Sequence, residues 1–498
     1  MRCLRPSQKY GRHRSAPAHL LMWSSMFEAR SPGRGAFHRM KAREGVAAIL
    51  VALLVSACST AKLDESGVRT DPSTTTALVE VGEIGGPTVD PASGAGGPIA
   101  SGDSPLKGMR GAAPGIRVTE EFRDRIRSID PEVDDLTGAA EAYDIVMILS
   151  IAAESARSDA PGRINDRVGP TTEGGRECIT FRRCQKLALT DTDLDYDGVS
   201  GDIELLENGD PGEAGYAIVE FTGSGGLRTV DQMTVQAKPL AQTPQRPDPT
   251  YGPPGDGVLR IGTLLPLLAA DGATARAALA GTKLAVEELN NLGGVLGADI
   301  ELVPDESGDG SSAATGAAVA RLIDQGVDAV IGGTAYPITS VALGPLTDAG
   351  VILFSPTDTA RALSVAPNRA LFHRLAPPTD LEGQVLGTAI TNDGYTRVAI
   401  ASGTQGEDLE LAADIAAAVS AASGTVTATV PVEPDADPAE VTQALIESSP
   451  QAIVLVTSVP TTAAIIAAMV VKGKSPSTLA TYGTAANMTS GLAQLVGG

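Results

Sequence analysis

Histidine is the residue this sequence can least spare. Of its 498 residues only four are histidine, and His13, His19 and His38 sit near the start, leaving His373 alone in the rest. An imidazole zinc site or a Ser-His-Asp relay needs more material than that, so the chain is expected not to be an enzyme. Aromatic residues make up only 3%, with Trp23 the single tryptophan, which leaves little to stack on bases or sugars. Positive charge is scarce as well: 38 Lys and Arg face 60 Asp and Glu, for a net charge of -22 and a pI near 4.6. Phosphate backbones demand basic surfaces, so nucleic acid is excluded as a partner.

Long hydrophobic runs are missing too, and the one near the start is informative for being short. Val46 to Val55 (VAAILVALLV) follows Met40 and the cations Lys41 and Arg43. A membrane-spanning helix needs roughly 20 apolar residues, whereas a positive start, a short apolar run and a small-residue junction form a signal peptide. The junction Val55-Ser56-Ala57-Cys58 looks like a bacterial lipobox, which implies cleavage before Cys58 and lipid on its thiol. Several acyl chains would then hold the protein on the extracytoplasmic face of a membrane. Residues 1–39 are accordingly expected to be an overlong start, 40–57 the signal peptide and 58–105, rich in Ser, Thr, Gly, Pro and Asp, a disordered tether. Only four cysteines exist. With Cys3 in the leader and Cys58 as anchor, Cys178 and Cys184 (GGRECITFRRCQ) are expected to form a local disulfide in an oxidising compartment.

What is present reads as two folded segments around a proline-rich linker, residues 238–257. In the first, 106–237, apolar spacing predicts helices over Thr119–Ile129 and Ala139–Ala156 and strands over Ile203–Leu205 and Tyr216–Phe221. From Leu259 strands and helices alternate: LRIGTLLP, Ala273–Leu289, ADIELVP, Ala313–Gln325, DAVIGG and VILFSP, then RVAIAS, Leu409–Ala422, TVTATVPV, Pro438–Glu447, AIVLVTS, Thr461–Val471 and TLATYG. Short apolar strands separated by helices imply parallel sheets covered on both faces. The break around APPTDLEG (376–383) divides the segment into a first lobe, 258–376, and a second, incomplete lobe, 377–498. The expected fold class is α/β, with two doubly wound parallel sheets and a hinge.

The runs VLRIGTLLPLLAADG, AVEELNNLGGVLGADIELV, RLIDQGVDAVIGG and VILFSPTDTARAL, in that order from Val258, resemble the beginning of a type I periplasmic-binding-protein fold. The likeness is to the branched-chain amino acid (Leu/Ile/Val) substrate-binding family of ABC importers. AEAYDIVMILSIAA (140–153) and DYDGVSGDIELLENGDPGEAGYAIVEF (195–221) resemble that family's final third, so its C-terminal part stands before its N-terminal part. A circular permutation, a truncated tandem repeat and a misassembled or frameshifted gene would each give this order.

In open parallel sheets ligands bind beyond the carboxyl ends of the strands, here after LRIGTLLP, DAVI and VILF. The resemblance implies that Thr357 and Thr359 touch the ligand, although each could equally be a helix cap. The same comparison places Ala335 and Tyr336 where the family has serines, Gln405 where it has a tyrosine, and Gly483 where it has the acid that pairs with an ammonium. Without that acid a buried ammonium is costly. The expected ligand is therefore a small polar solute, whether amino acid, amide or carboxylate, delivered to an ABC permease. A different reading starts from Asp193, Asp195, Asp197 and Glu204, whose D-x-D-x-D-G-x₅-E spacing fits a calcium loop. It would make the chain a ligand-sensing or adhesion lipoprotein with a Ca²⁺-ordered loop. The expectation for cofactors is otherwise none.

Overall fold

A computed structural model describes residues 103–115, 118–190, 192–237, 248–269, 272–404 and 406–497. The expected leader, signal peptide, Cys58 and nearly all of the tether lie outside the described residues, as do most of the linker and Gln405.

The first segment contributes β1 (Arg110–Pro114), α1 (Glu120–Ile129), α2 (Ala139–Ala156), α3 (Pro161–Val168), β2 (Arg176–Cys178), α4 (Phe181–Ala188), β3 (Leu194–Tyr196), β4 (Glu213–Phe221) and β5 (Leu227–Gln236). The second opens with β6 (Arg260–Leu265), α5 (Gly272–Asn291), β7 (Glu301–Glu306), α6 (Ser312–Asp324), β8 (Ala329–Gly332), α7 (Tyr336–Asp348), β9 (Ile352–Ser355) and β10 (Phe372–Arg374). It closes with α8 (Thr379–Asn392), β11 (Arg397–Gly403), α9 (Gly406–Ala421), β12 (Thr425–Val432), α10 (Pro438–Glu447), β13 (Ala452–Val456), α11 (Val459–Val471), β14 (Ala480–Gly483) and α12 (Ser490–Gly497).

These strands form two large sheets and a small parallel pair, β2-β3. The first lobe holds a five-stranded sheet in the order β10-β9-β8-β6-β7, parallel throughout. The second holds seven strands in the order β12-β11-β13-β14-β1-β4-β5. Strands β8, β9 and β13 are buried along their whole length, as a sheet covered by helices on both faces requires. The expectation of two parallel sheets needs correction for the second lobe. There β4 runs antiparallel to β1 and β5, so the sheet is mixed. A hairpin needs only a short turn, whereas a parallel neighbour needs a crossover helix, and Thr222–Gly226 provides that turn.

The first segment is shared between the lobes. Its β1 extends the second sheet, pairing in parallel with β14, with Arg110 opposite Tyr482 and Gly111 opposite Gly483. Its α2 belongs to the first lobe. This helix is apolar on nearly every side, and Ile145, Val146, Ile148, Leu149 and Ile151 are fully buried in one core with Leu284, Ile331 and Phe354 of the second segment. A helix without a polar face must be covered all round. Each such aliphatic side chain contributes roughly 1.5–3 kcal/mol by leaving water. Cys178 and Cys184 are joined by a disulfide that ties β2 to α4.

Two more local expectations are overturned. Ile203–Leu205 is not a strand; only Leu205 bridges Pro211. Its backbone N–H is taken by the Thr172 hydroxyl at 3.3 Å instead of a ladder partner. And α8 occupies the stretch read as a break. Glycine disfavours helix, which hid it, but a Cβ on Gly383 would lie 2.5 Å from the Asp414 Cβ and one on Gly387 2.4 Å from that of Ala418. The two glycines let α9 close on α8.

A buried ionic cluster joins the segments. The turn Glu207–Asp210 of the first segment carries Asp210 between Arg369 and Arg374 of the second. Oδ1 accepts from Arg369 Nη2 at 2.9 Å and from Arg374 Nε at 2.8 Å, with both guanidinium groups fully buried. Arg374 also donates to the Ala360 carbonyl at 2.8 Å and the Ser364 hydroxyl at 2.6 Å. Asn208 donates to the second carboxylate oxygen at 2.9 Å. Burial pushes the Asp210 carboxyl up, but Arg374 and Arg369 outweigh it and hold it below the ordinary range. Its contribution is thus complete above the ordinary carboxylate pKa of about 3.9 and is lost as pH falls through the lower folded value. Asp210→Ala strands two buried cations, and urea unfolding at pH 7 is expected to show a loss of about 3–5 kcal/mol. In the parent protein, stability should fall with acidification only below the ordinary carboxylate range.

Candidate functional site

The chain passes between the lobes at three places: between β1 and α1, at residues 205–212 towards β4, and at residues 375–378 from β10 to α8. These crossings bound a cavity of about 420 Å³, within the usual range for small-molecule sites. The first lobe supplies Thr357 and Thr359 from the loop after β9, and Leu136, Thr137 and Glu141 from the loop and first turn of α2. Gly115, Leu205, Pro211, Leu375 and Pro377 come from the crossings, and Ile203 and Glu204 from the chain just before the second. The second lobe supplies Glu213, Ala217 and Val219 of β4 and Thr229 and Gln232 of β5.

The loop after β9 is rigidly built. Ser355 Oγ donates to the Gly333 carbonyl at 2.6 Å and accepts from the Asp358 N–H at 3.1 Å. Thr357 Oγ1 donates to the Thr334 carbonyl at 3.1 Å, which locks this loop to the one after β8 and leaves its lone pairs to accept. The Thr359 carbonyl accepts from the Thr379 N–H at 3.0 Å at the start of α8, so the loop touches both lobes.

Of the residues read from the sequence, Thr357 and Thr359 lie on the cavity wall. Ala335 caps α7 and Tyr336 begins it, the tyrosine being 41% exposed; neither borders the cavity. Gly483 ends β14, buried against Asn487, Met109 and Met488, and also stands off the cavity. A carboxylate does stand beside its loop: Glu382 of α8 is buried and accepts from the Ala485 N–H at 2.7 Å. Sequence reasoning missed it because the acid comes from a helix about a hundred positions away. Among the described residues the histidine of the globular part is structural, with His373 Nε2 2.7 Å from Asn165 Oδ1.

The calcium reading is not supported. Among the described residues no group of three or more His, Cys, Asp or Glu is placed to hold a metal. Asp195 lies on the extended strand β3, where alternate residues stand nearly 7 Å apart, too far for Asp193, Asp195 and Asp197 to converge. Glu204 faces the cavity instead. The glycine turn serves another carboxylate. Asp144, fully buried in α2, accepts from Tyr196 Oη at 2.7 Å, Val199 N at 3.1 Å and Ser200 N at 2.7 Å. A Cβ on Gly198 would fall 2.2 Å from the Asp144 carboxylate, so the close wrap requires glycine.

Residues 258–496 match the profile of a family described as periplasmic binding protein. With two α/β lobes, one parallel and one mixed sheet, and crossings that bound an interlobe cavity, the fold is that of a type I periplasmic binding protein. No curated protein matches the chain. Solved structures similar to it include the branched-chain amino acid transporter substrate-binding protein LivJ of Streptococcus pneumoniae, in complex with isoleucine, at 20% identity and a TM-score of 0.40, covering 48% of this chain and 67% of the other. A periplasmic binding protein type 1 from Bordetella pertussis shows 15% identity and a TM-score of 0.41, covering 48% and 66%. A solute-binding protein of an R. palustris ABC transporter, in complex with 4-hydroxybenzoate, shows 16% identity and a TM-score of 0.39, covering 47% and 63%. The chain thus spans about two thirds of the length of these structures.

Burial holds the Glu382 carboxyl up at about 7, against the hydrogen bond from Ala485. An acid raised on folding favours the folded state at low pH, and that advantage declines as pH rises from the unfolded value through about 7. Glu382→Gln keeps an acceptor without the charge. It should leave stability near pH 4 unchanged and raise it above pH 8 by up to about 3 kcal/mol, as read by urea melts at both pH values.

Proposed function

We propose that this protein captures a small solute between its two lobes, closes by hinge bending at the crossings and delivers the solute to an ABC permease without catalysing a reaction. The observation that carries this reading is the cavity itself, bounded by all three crossings and lined from both lobes. Domain closure can act on a ligand only where the lobes meet, and Thr357 and Thr359 stand there on a loop bonded to both. Lipid on Cys58 would keep the receptor at the extracytoplasmic face of the membrane, with residues 58–105 as its tether.

The same reading takes the chain as a circular permutant, with 106–237 as the family's C-terminal part and 238–257 joining the former termini. The pairing of β1 with β14, the packing of α2 against α5 and the Asp210 cluster support it. Relocated termini leave the chemistry of a fold intact when its packing is kept.

Thermal melts against amino acids, amides, amines and carboxylates test the function. A true ligand at 100 times its Kd adds about 2.7 kcal/mol and moves the midpoint by several degrees. Thr357→Ala should weaken that ligand by about tenfold, the worth of one hydrogen bond. If no solute shifts the melt, the receptor reading falls. Permutation is tested by cutting a protease site placed within residues 238–247. The two pieces should stay associated on gel filtration and unfold in one transition, whereas pieces that separate would refute a shared fold.

A further inference from the structure

Among the described residues the cleft wall carries six carboxylates against one cation. Asp134 and Asp135 stand on the loop before α2, Glu141 in its first turn, Asp202 and Glu204 just before the second crossing and Glu213 on β4. Arg123 is the single cation among the described lining residues, and it already faces Glu120 at 3.4 Å. None of the six carboxylates makes an ion pair among the described residues. Asp135 is used by the Thr137 N–H at 2.9 Å and Glu213 by Gln236, both neutral partners. Between them the wall is apolar, with Val118, Leu136, Ala217 and Val219.

We propose that the cleft selects a small organic cation: a diamine, polyamine or guanidino compound that carries no carboxylate. This rests on the solute-binding reading above and names its ligand class. A solute carboxylate entering here would meet six acids and a single guanidinium, and like charges brought together out of water repel strongly. Amines meet the opposite field, and the overall charge of -22 draws cations towards the protein. The acids come from three separate walls and do not converge on a point, so they suit charges spaced along a chain better than a metal ion. Methylene groups between those charges would lie on the apolar patches. Burial, with Asp144 nearby, holds the Glu141 carboxyl up at about 7 in the empty cleft; a bound ammonium would bring it down.

The test is calorimetric titration of the full chain at pH 7.5 with putrescine, spermidine and agmatine, against isoleucine, glutamate, 4-hydroxybenzoate and CaCl₂. One amine is expected to bind in a 1:1 ratio and to weaken at least tenfold between 50 and 500 mM NaCl. Asp134→Asn and Asp202→Asn, at exposed positions whose side chains make no hydrogen bond or ion pair among the described residues, should each weaken it by about two- to fivefold, and Glu440→Gln on α10, away from the cleft, should not. Binding of an anionic or neutral solute in preference to every amine overturns the cation assignment and leaves the receptor reading standing. No binding by any solute removes both. Amine binding indifferent to Asp134→Asn and Asp202→Asn, or matched by Ca²⁺, marks mere attraction to an acidic surface and also overturns it.

Discussion

Asp210 and the two guanidinium groups around it form the constraint on which the rest of the structure depends. Arg369 and Arg374 are placed by β10 and its approach, in the second segment, yet among the described residues that segment provides no salt-bridging acid for either of them. Their counter-ion arrives from the first segment. Forming such a cluster gains little over an apolar core, whereas leaving it half-formed is expensive. The cluster therefore acts less as a source of stability than as a filter: arrangements that leave Asp210 elsewhere carry the cost of stranded charge. It sets the turn 207–210 against β10 and so fixes the second crossing, one wall of the cavity.

The first segment completes both lobes by different physics. In the first lobe the contribution is apolar area. The aliphatic surface of α2 is covered by α5 and, through one continuous core, reaches Ile331 and Phe354 of the sheet. In the second lobe it is hydrogen bonding, because β14 would present an open edge without β1. Asp144 shows how closely the pieces are fitted. A carboxylate in an apolar helix needs donors, and the end of β3 with the turn after it provides three of them. The acidic, glycine-containing run that looks like a cation loop is thereby turned into an anion cradle.

Electrostatics divides the molecule into places where acids are answered and places where they are not. Asp210, Glu220 and Glu288 each meet arginine, while the cleft collects acids that meet none among the described residues. Hydrophobic residues such as Val118, Leu136, Ala217 and Val219, with neutral hydroxyl and amide groups, stand between those acids. Such a surface is costly to close upon itself and favours closure around a positive guest.

Much of the architecture was legible in the sequence because it rests on local periodicity. The helices Ala139–Ala156 and Pro438–Glu447 have the bounds that their apolar spacing predicts. The strands β6, β8, β9 and β13 follow from short apolar runs between helices. The order of the quoted motifs, with the later part first, and the place of Thr357 and Thr359 at a strand's carboxyl end were legible too. What the residues alone left undecided is whatever joins positions distant in the chain. The mixed sheet depends on which strand edge β1 finds; the helical state of Thr379–Asn392 depends on α9 accepting its glycines; and the carboxylate beside the β14 loop is donated by Glu382 from another helix. The charge of the cleft is of the same kind. Its six acids are scattered over some eighty positions as ordinary surface residues, and only the crossings between lobes, by bringing three walls together, make them one field.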